Sequence, residues 1–318
     1  EWEETGVLTP PILAASGSLS REELFPLIFD EADVTDIEEN PLGGTGAVET
    51  RGAPAHGEML LNTHTLLLRE YAGGRLGQDN LDVLIYNVMP DILPIHPDIT
   101  PEMTHRLERL RSVPPGREKA RFIQFHLLVD DLSHYGRITR RGHDRSENET
   151  GGYAFRKAEA LSGEMGSLHG RLGLAIDAGE ALYRSHLIVE MAVDLVIHRR
   201  QPGVVDLFSR AVEATLGERV DGLVSTLGWA YAMPEWLVRD AVMQGMAAYR
   251  DEILRRSVSL EGRVELFLRK FFGGLAGDPE RRGVRALVEQ GIESVADHED
   301  FLQTTLREIS ASGFEGGL

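Results

Sequence analysis

Residues 121–136 read RFIQFHLLVDDLSHYG, and residues 185–198 read SHLIVEMAVDLVIH. In the first stretch His126, Asp130 and His134 recur at every fourth position; in the second, His186, Glu190 and Asp194 do the same. At 3.6 residues per turn this spacing stacks each trio on one face of a helix. The remaining positions are mostly Phe, Ile, Leu, Val and Ala, so both helices are expected to be buried nearly all round. Ionised carboxylates in such helices are costly unless paired or bound to a cation. Two core helices aiming their ligands at shared metal ions satisfy the pattern. Hydrogen-bonded core histidines and salt-bridged carboxylates are the plainer alternative.

Counting alone does not separate these readings. Among 11 histidines and 51 acids in 318 residues, roughly two His-x-x-x-acid pairs are expected by chance, and the chain has three: His126/Asp130, His143/Glu147 and His186/Glu190. The first and third gain weight from their apolar helices and from the further ligand type four positions on. His143/Glu147 falls in a polar stretch and reads as surface.

Composition fits a folded chain, with 42% hydrophobic and 26% charged residues, and its length suggests roughly two domains. The formal charge of -18, from 33 basic and 51 acidic residues, argues against general nucleic-acid affinity through a basic surface. The absence of cysteine excludes disulfides, thiolate zinc fingers and cysteine nucleophiles, so any metal site must use His and carboxylate. No apolar run approaches the ~20 residues that span a bilayer; the best candidate, Leu187 to Ile197, is interrupted by Glu190 and Asp194. A soluble protein is expected, with its compartment open. The opening Glu-Trp-Glu-Glu lacks both a methionine and a signal pattern, which suggests numbering inside a longer or processed product, with Met59 a plausible alternative start.

Three regions follow from the patterning. Residues 1–55 are acidic, carry Pro10, Pro11 and Pro41, and read as a mostly irregular extension. Residues 56–200 hold the ligand-bearing helices and form the expected metal-binding core. Residues 201–318 lack any histidine except His298 and read as a helical region packed on that core. Helices are expected at about 57–72, 79–88, 100–112, 116–137, 172–200, 203–216, 219–232, 234–256, 258–274, 279–294 and 297–311, with Gly and Pro at the joints. Alternating strand patterns are nearly absent, so the fold class is all-α, a multi-helix bundle with its ligands on core helices. The polar, Gly-rich residues 140–167 are expected to be a lid or a solvated connection. The cluster GWAYAMPEW at 228–236 reads as core rather than as a lipid-facing surface.

Further ligand types precede the two helices. His64 sits in the apolar run LLNTHTLLL, Asp91 follows Pro90 at an expected break in the chain, His96 and Asp98 share the next loop, and His105 follows 14 residues after Asp91. Imidazoles and carboxylates in this mixture suit zinc, with manganese or iron as alternatives. No P-loop and no Gly-x-Ser-x-Gly elbow is present.

The order His64, Pro90-Asp91, His105, His126-x-x-x-Asp130, His134, His186-x-x-x-Glu190 resembles that of the zinc-dependent phospholipase C superfamily. That family includes bacterial phosphatidylcholine-cleaving enzymes, the catalytic domain of glycosylphosphatidylinositol-specific phospholipase D, and fungal zinc nucleases. The likeness covers residues 60–195. It implies one ion held by Asp91, His105 and His126, a neighbour held by His134, His186 and Glu190, Asp130 between them, and His64 toward a third, hence two or three zinc ions. Members often complete the third site with an amino-terminal Trp, whereas Trp2 here lies far ahead of His64. The implied activity is hydrolysis of a phosphate ester, a phospholipid among the candidates, by a metal-bound hydroxide, with Asp91 as general base. Arg137, Arg140 and Arg141 would lie where they could hold a phosphate, or simply form a solvated helix end.

Two other classes compete. Glu102-x-x-His105 and Asp131-x-x-His134, with Glu70 and Glu190, imitate the carboxylate pattern of di-iron bundles, which serve as oxidases, oxygenases or iron stores. That scheme leaves His126, Asp130 and His186 unemployed. A non-catalytic helical interaction protein, its histidines satisfied internally, is the third.

Overall fold

In the computed structural model, the residues described are 61–141, 151–273 and 276–316. They lie within one compact unit, Arg51–Leu318. The expected N-terminal extension and the His143/Glu147 pair lie outside the described residues. Among those residues the regular structure is helical and no strand occurs, so the all-α reading holds.

The central helix is α4 (Arg121–Tyr135), reached from α1 (Leu61–Ala72), α2 (Val83–Ile92) and the short α3 (Pro101–His105). Every residue of α4 from Phe122 to Ser133 is buried, as its apolar surround requires. After α5 (Tyr153–Arg171), the second ligand helix α6 (Ala178–Arg200) is buried continuously from Ser185 to Leu195. Then follow α7 (Gly203–Glu218), α8 (Val220–Tyr231), α9 (Glu235–Ala248), a π turn (Tyr249–Ile253) and α10 (Leu254–Ser257). The chain closes with α11 (Leu260–Phe272), α12 (Asp278–Ser294) and α13 (His298–Ala311).

Two apolar cores form. One gathers α2, α4, α8 and α9 around Ile85, Met89, Phe125, Leu128, Leu227 and Val242. The other gathers α5, α6, α11 and α12 around Met165, Ile188, Met191, Phe267 and Leu287. Each fully buried side chain of this size contributes about 1.5–3 kcal/mol. Helices on both sides of residue 200 enter both cores. Helix α1 sits at the seam, with Leu67 and Leu68 in the first core and Leu66 in the second. His64 belongs to this seam helix.

Three sequence expectations are corrected. Of the expected lid or connection at 140–167, the part from Tyr153 on is helix α5, whose Ala154, Ala158, Leu161, Met165 and Leu168 form a buried stripe; 142–150 lie outside the described residues. Gly163, Gly166 and Gly170 mask that stripe in the sequence because glycine weakens a helical pattern without abolishing it. The helix expected over 100–112 stops at His105, because the Arg109 side chain turns inward onto backbone carbonyls. Asp91 is not at a chain break: α2 runs through Pro90 and ends at Ile92.

Candidate metal centre

Four helices bring five candidate ligands together. His64 comes from α1, Asp91 from α2, His105 from the end of α3, and His126 and Asp130 from successive turns of α4. Asp130 Oδ1 lies 3.3 Å from His64 Nε2, while its Oδ2 lies 3.2 Å from His126 Nε2 and 3.5 Å from His105 Nε2. Asp91 Oδ1 lies 3.2 Å from His105 Nε2 and 3.5 Å from His126 Nε2. The His64 and His126 rings stack with centroids 3.8 Å apart. Two overlapping sets have ligand atoms close enough to share a cation: His64, Asp91 and His126, and His105, His126 and Asp130. His64 is therefore a full member of this cluster.

A third set is formed by His134, His186 and Glu190. His134 Nε2 lies 2.7 Å from Glu190 Oε1, and His186 Nε2 lies 3.9 Å from the same oxygen. The geometry of α4 explains why His126 and His134 part company. Eight residues advance about 12 Å along the axis and overshoot two turns by about 80°. Asp130, between them, faces the His64, His105 and His126 side.

The same drift removes Asp194 from the stripe proposed for α6. Its carboxylate accepts from the backbone N–H groups of Asn62 and Thr63 at 3.2 and 2.9 Å, from Thr63 Oγ1 at 2.8 Å, and from Arg263 Nη2 at 2.9 Å. A carboxylate on first-turn N–H groups is a favourable partner for the positive end of a helix. Asp194 thus anchors α1, and with it His64, and belongs to none of the candidate ligand sets among the described residues. His96 and Asp98 also stand apart: His96 Nε2 faces Asp240 Oδ2 at 3.2 Å, and its Nδ1 accepts from the Asp98 N–H. Arg137, Arg140 and Arg141 are exposed. The Arg140 guanidinium lies 3.5 Å from Glu108.

The carboxylates of the di-iron pattern point elsewhere. Glu70 and Glu102 are exposed. Both oxygens of Asp131 are engaged, by the Arg109 guanidinium at 2.7 and 3.1 Å and by the N–H and hydroxyl of Thr139, each at 2.7 Å. Of the four proposed there, Glu190 alone faces a histidine pair.

Electrostatics couple the first cluster tightly. Burial opposes charge on His126, but Asp130 and Asp91 outweigh it and push its imidazole up to about 10. Burial would raise Asp91 and Asp130, yet His126 holds both carboxyls below the usual range, helped by His105 for Asp91 and by His64 for Asp130. His105 is raised despite burial, through Asp91 and Asp130. Burial and the neighbouring His126 lower His64. The metal-free cluster therefore holds its carboxylates together with protons on histidine.

A cation fits these residues on one observation in particular. The ring nitrogens of His64 and His126 are buried and make no hydrogen bond of ordinary geometry, although each Nε2 lies 3.2–3.5 Å from carboxylate oxygen. Buried polar atoms are rarely left so. Imidazole nitrogens and carboxylate oxygens converging without linear hydrogen bonds are the donor set that zinc, manganese or iron takes. His105 adds the usual outer partner, its Nδ1 lying 2.9 Å from the Pro101 carbonyl, which turns Nε2 toward the Asp91 and Asp130 carboxylates. Access is uneven: the His105 and His134 side chains are 25% and 23% exposed, whereas His126 is fully enclosed.

Aromatic residues complete the surroundings. Phe155 of α5 stacks on His186 at 4.3 Å and meets His134 edge-on at 5.7 Å. The Tyr183 ring lies 4.8 Å from that of His186. The buried Tyr231 hydroxyl has no hydrogen-bond partner among the described residues, and burial together with the Asp91 charge pushes it well above its ordinary value. Within GWAYAMPEW, Tyr231 and Met233 are core, Trp229 lies under the Arg111 guanidinium at 4.4 Å, and Trp236 is 70% exposed, so the expectation of a core cluster holds only in part.

Compared with family models, curated proteins and solved structures, the chain matches none. No helix among the described residues is long and apolar enough to cross a membrane.

Proposed function

We propose that the protein is a divalent-cation-dependent hydrolase of phosphate esters, a phospholipase C-like enzyme or related phosphodiesterase, with zinc favoured over manganese or iron. The observation that carries this reading is the buried convergence of His64, His105 and His126 on the shared carboxylates of Asp91 and Asp130. The likeness in residue order to zinc-dependent phospholipases supports it. Cations held there and at His134, His186 and Glu190 would polarise a phosphoryl oxygen and acidify a water.

The chain's own residues supply the rest. Asp130 offers its two oxygens in different directions, one to His64 and one to His105 and His126, which suits a carboxylate shared between ions. Asp91 stays ionised and is able either to hold a cation or to accept a proton; its depressed carboxyl favours the first role. The half-open His105 and His134 mark the sides from which a phosphoester approaches. Phospholipids and small phosphodiesters share the same reacting centre, and a substrate panel distinguishes them. The exposed or committed carboxylates of the di-iron pattern favour the hydrolase over an oxidase or iron store.

The test is cleavage of a chromogenic phosphodiester by the purified chain before and after chelation. Chelation should abolish turnover and zinc should restore it. His126→Ala and Asp130→Asn should each lose metal and at least about 100-fold in rate, a loss of about 2.7 kcal/mol of transition-state stabilisation, while keeping helical circular dichroism. Unchanged metal content in both variants would remove the proposed ligand set.

A further inference from the structure

The ligand His105 ends a helix of only five residues and is followed by an irregular stretch. So short a helix has no stability of its own, because nucleation is unfavourable and few bonds reward it. Something outside it must fix His105 against Asp91 and Asp130. The buried Arg109 is placed to do so. Its Nη1 donates to the backbone carbonyls of His105 and Leu107 at 2.7 and 2.8 Å, and its Nε and Nη2 grip Asp131 at 3.1 and 2.7 Å. Asp131 directly follows Asp130 on α4, so one guanidinium ties the backbone of one ligand to the helix turn carrying another. The far end is closed as well. Arg109 N–H donates to the Arg140 carbonyl at 3.0 Å, and the Thr139 N–H and hydroxyl both donate to Asp131. Arg109 is 3% exposed and Asp131 fully buried.

We propose that Arg109 and Asp131 are a positioning pair for the metal centre, holding His105 in register with Asp91 and Asp130. The inference rests on the metal-site reading above. Only an arginine fork reaches both a carboxylate and two carbonyls at once. His105 then has two constraints of different origin: Arg109 fixes its backbone, and the Pro101 carbonyl fixes its ring. The His134, His186 and Glu190 set draws on other positions, the last turn of α4 and helix α6, so its affinity should not depend on the pair.

Zinc titration against a chromogenic chelator tests this, in two backgrounds that isolate the sets. His186→Ala with Glu190→Gln leaves the His105-containing cluster, and His126→Ala with His105→Ala leaves the other set. Outer partners of metal ligands typically matter by about 10–100-fold in affinity. Arg109→Met combined with Asp131→Asn avoids stranding one buried charge, and should weaken zinc by about that factor in the first background and not in the second. Arg109→Lys, which keeps the charge and loses the fork, is the variant that decides if the double substitution does not fold, and should show the same selective loss. Equal affinity in the first background, or equal weakening in both, would overturn the positioning role. Failure of the unmodified chain to bind zinc would overturn the metal-site reading, and this inference with it.

Discussion

At the scale of single residues, His126 carries the account. It is fully enclosed, its Nε2 faces two carboxylates, and in the metal-free protein it holds a proton up to about pH 10. The sign of the linkage follows. An imidazole raised above its unfolded value of about 6.5 contributes stability fully below that pH, and the contribution disappears as pH rises through the folded value. The metal-free protein should therefore lose stability between about pH 6.5 and 10. A cation needs the neutral ring, so zinc binding at pH 7 should release at least one proton. Calorimetry in buffers of different ionisation enthalpy measures this release, and a heat independent of buffer would contradict the protonated metal-free cluster. His126, Asp130, His186 and Glu190 were legible in the sequence because polar ligand types at helical spacing stand out in apolar helices. Arg109 and Phe155 were not, since each acts through a partner distant in sequence and their own neighbourhoods carry no signal. Asp194 misled because a four-residue stripe drifts around the helix over two steps.

At the scale of elements, the end of α4 and the start of α5 meet at His134. Gly136 closes α4 in the left-handed conformation, φ 69°, and Gly152 donates its N–H to the His134 carbonyl at 2.9 Å. A Cβ on Gly152 would overlap that carbonyl, so the approach admits no side chain. Gly152→Ala should cost about 1–3 kcal/mol, as overpacking of a tight contact does, and should weaken zinc at His134, His186 and Glu190. Denaturant unfolding and zinc titration check both effects; a variant with unchanged midpoint and affinity would show that the contact is slack. Helices α4 and α6 could be drawn from sequence to within a few residues at their C-terminal ends because burial dictates their composition. Helix α5 could not, because three glycines dilute its apolar stripe. The overlong α3 fails for another reason: a buried arginine takes the carbonyls that a continued helix would need. Pro90 inside α2, immediately before Asp91, breaks a local rule where the candidate chemistry lies, and such conflicts gather at functional sites.

At the scale of the whole molecule, the site lies where α1 joins two apolar cores. One core is built on α2 and α4 and the other on α5 and α6, and the candidate ligands come from α1, α2, α3, α4 and α6. Ligands shared among elements of both cores make cation binding and folding mutually dependent. The overall charge of -18 does not oppose a phosphate substrate, because a bound cation dominates the field close to it. The five-residue cluster and the three-residue set are each proposed to hold divalent metal. Anomalous diffraction from crystals of the zinc-loaded chain, recorded on both sides of the zinc absorption edge, tests this most directly. Difference peaks are expected among His64, Asp91, His105, His126 and Asp130 and at His134, His186 and Glu190; absence of a peak at either place in a zinc-loaded crystal would contradict metal binding there.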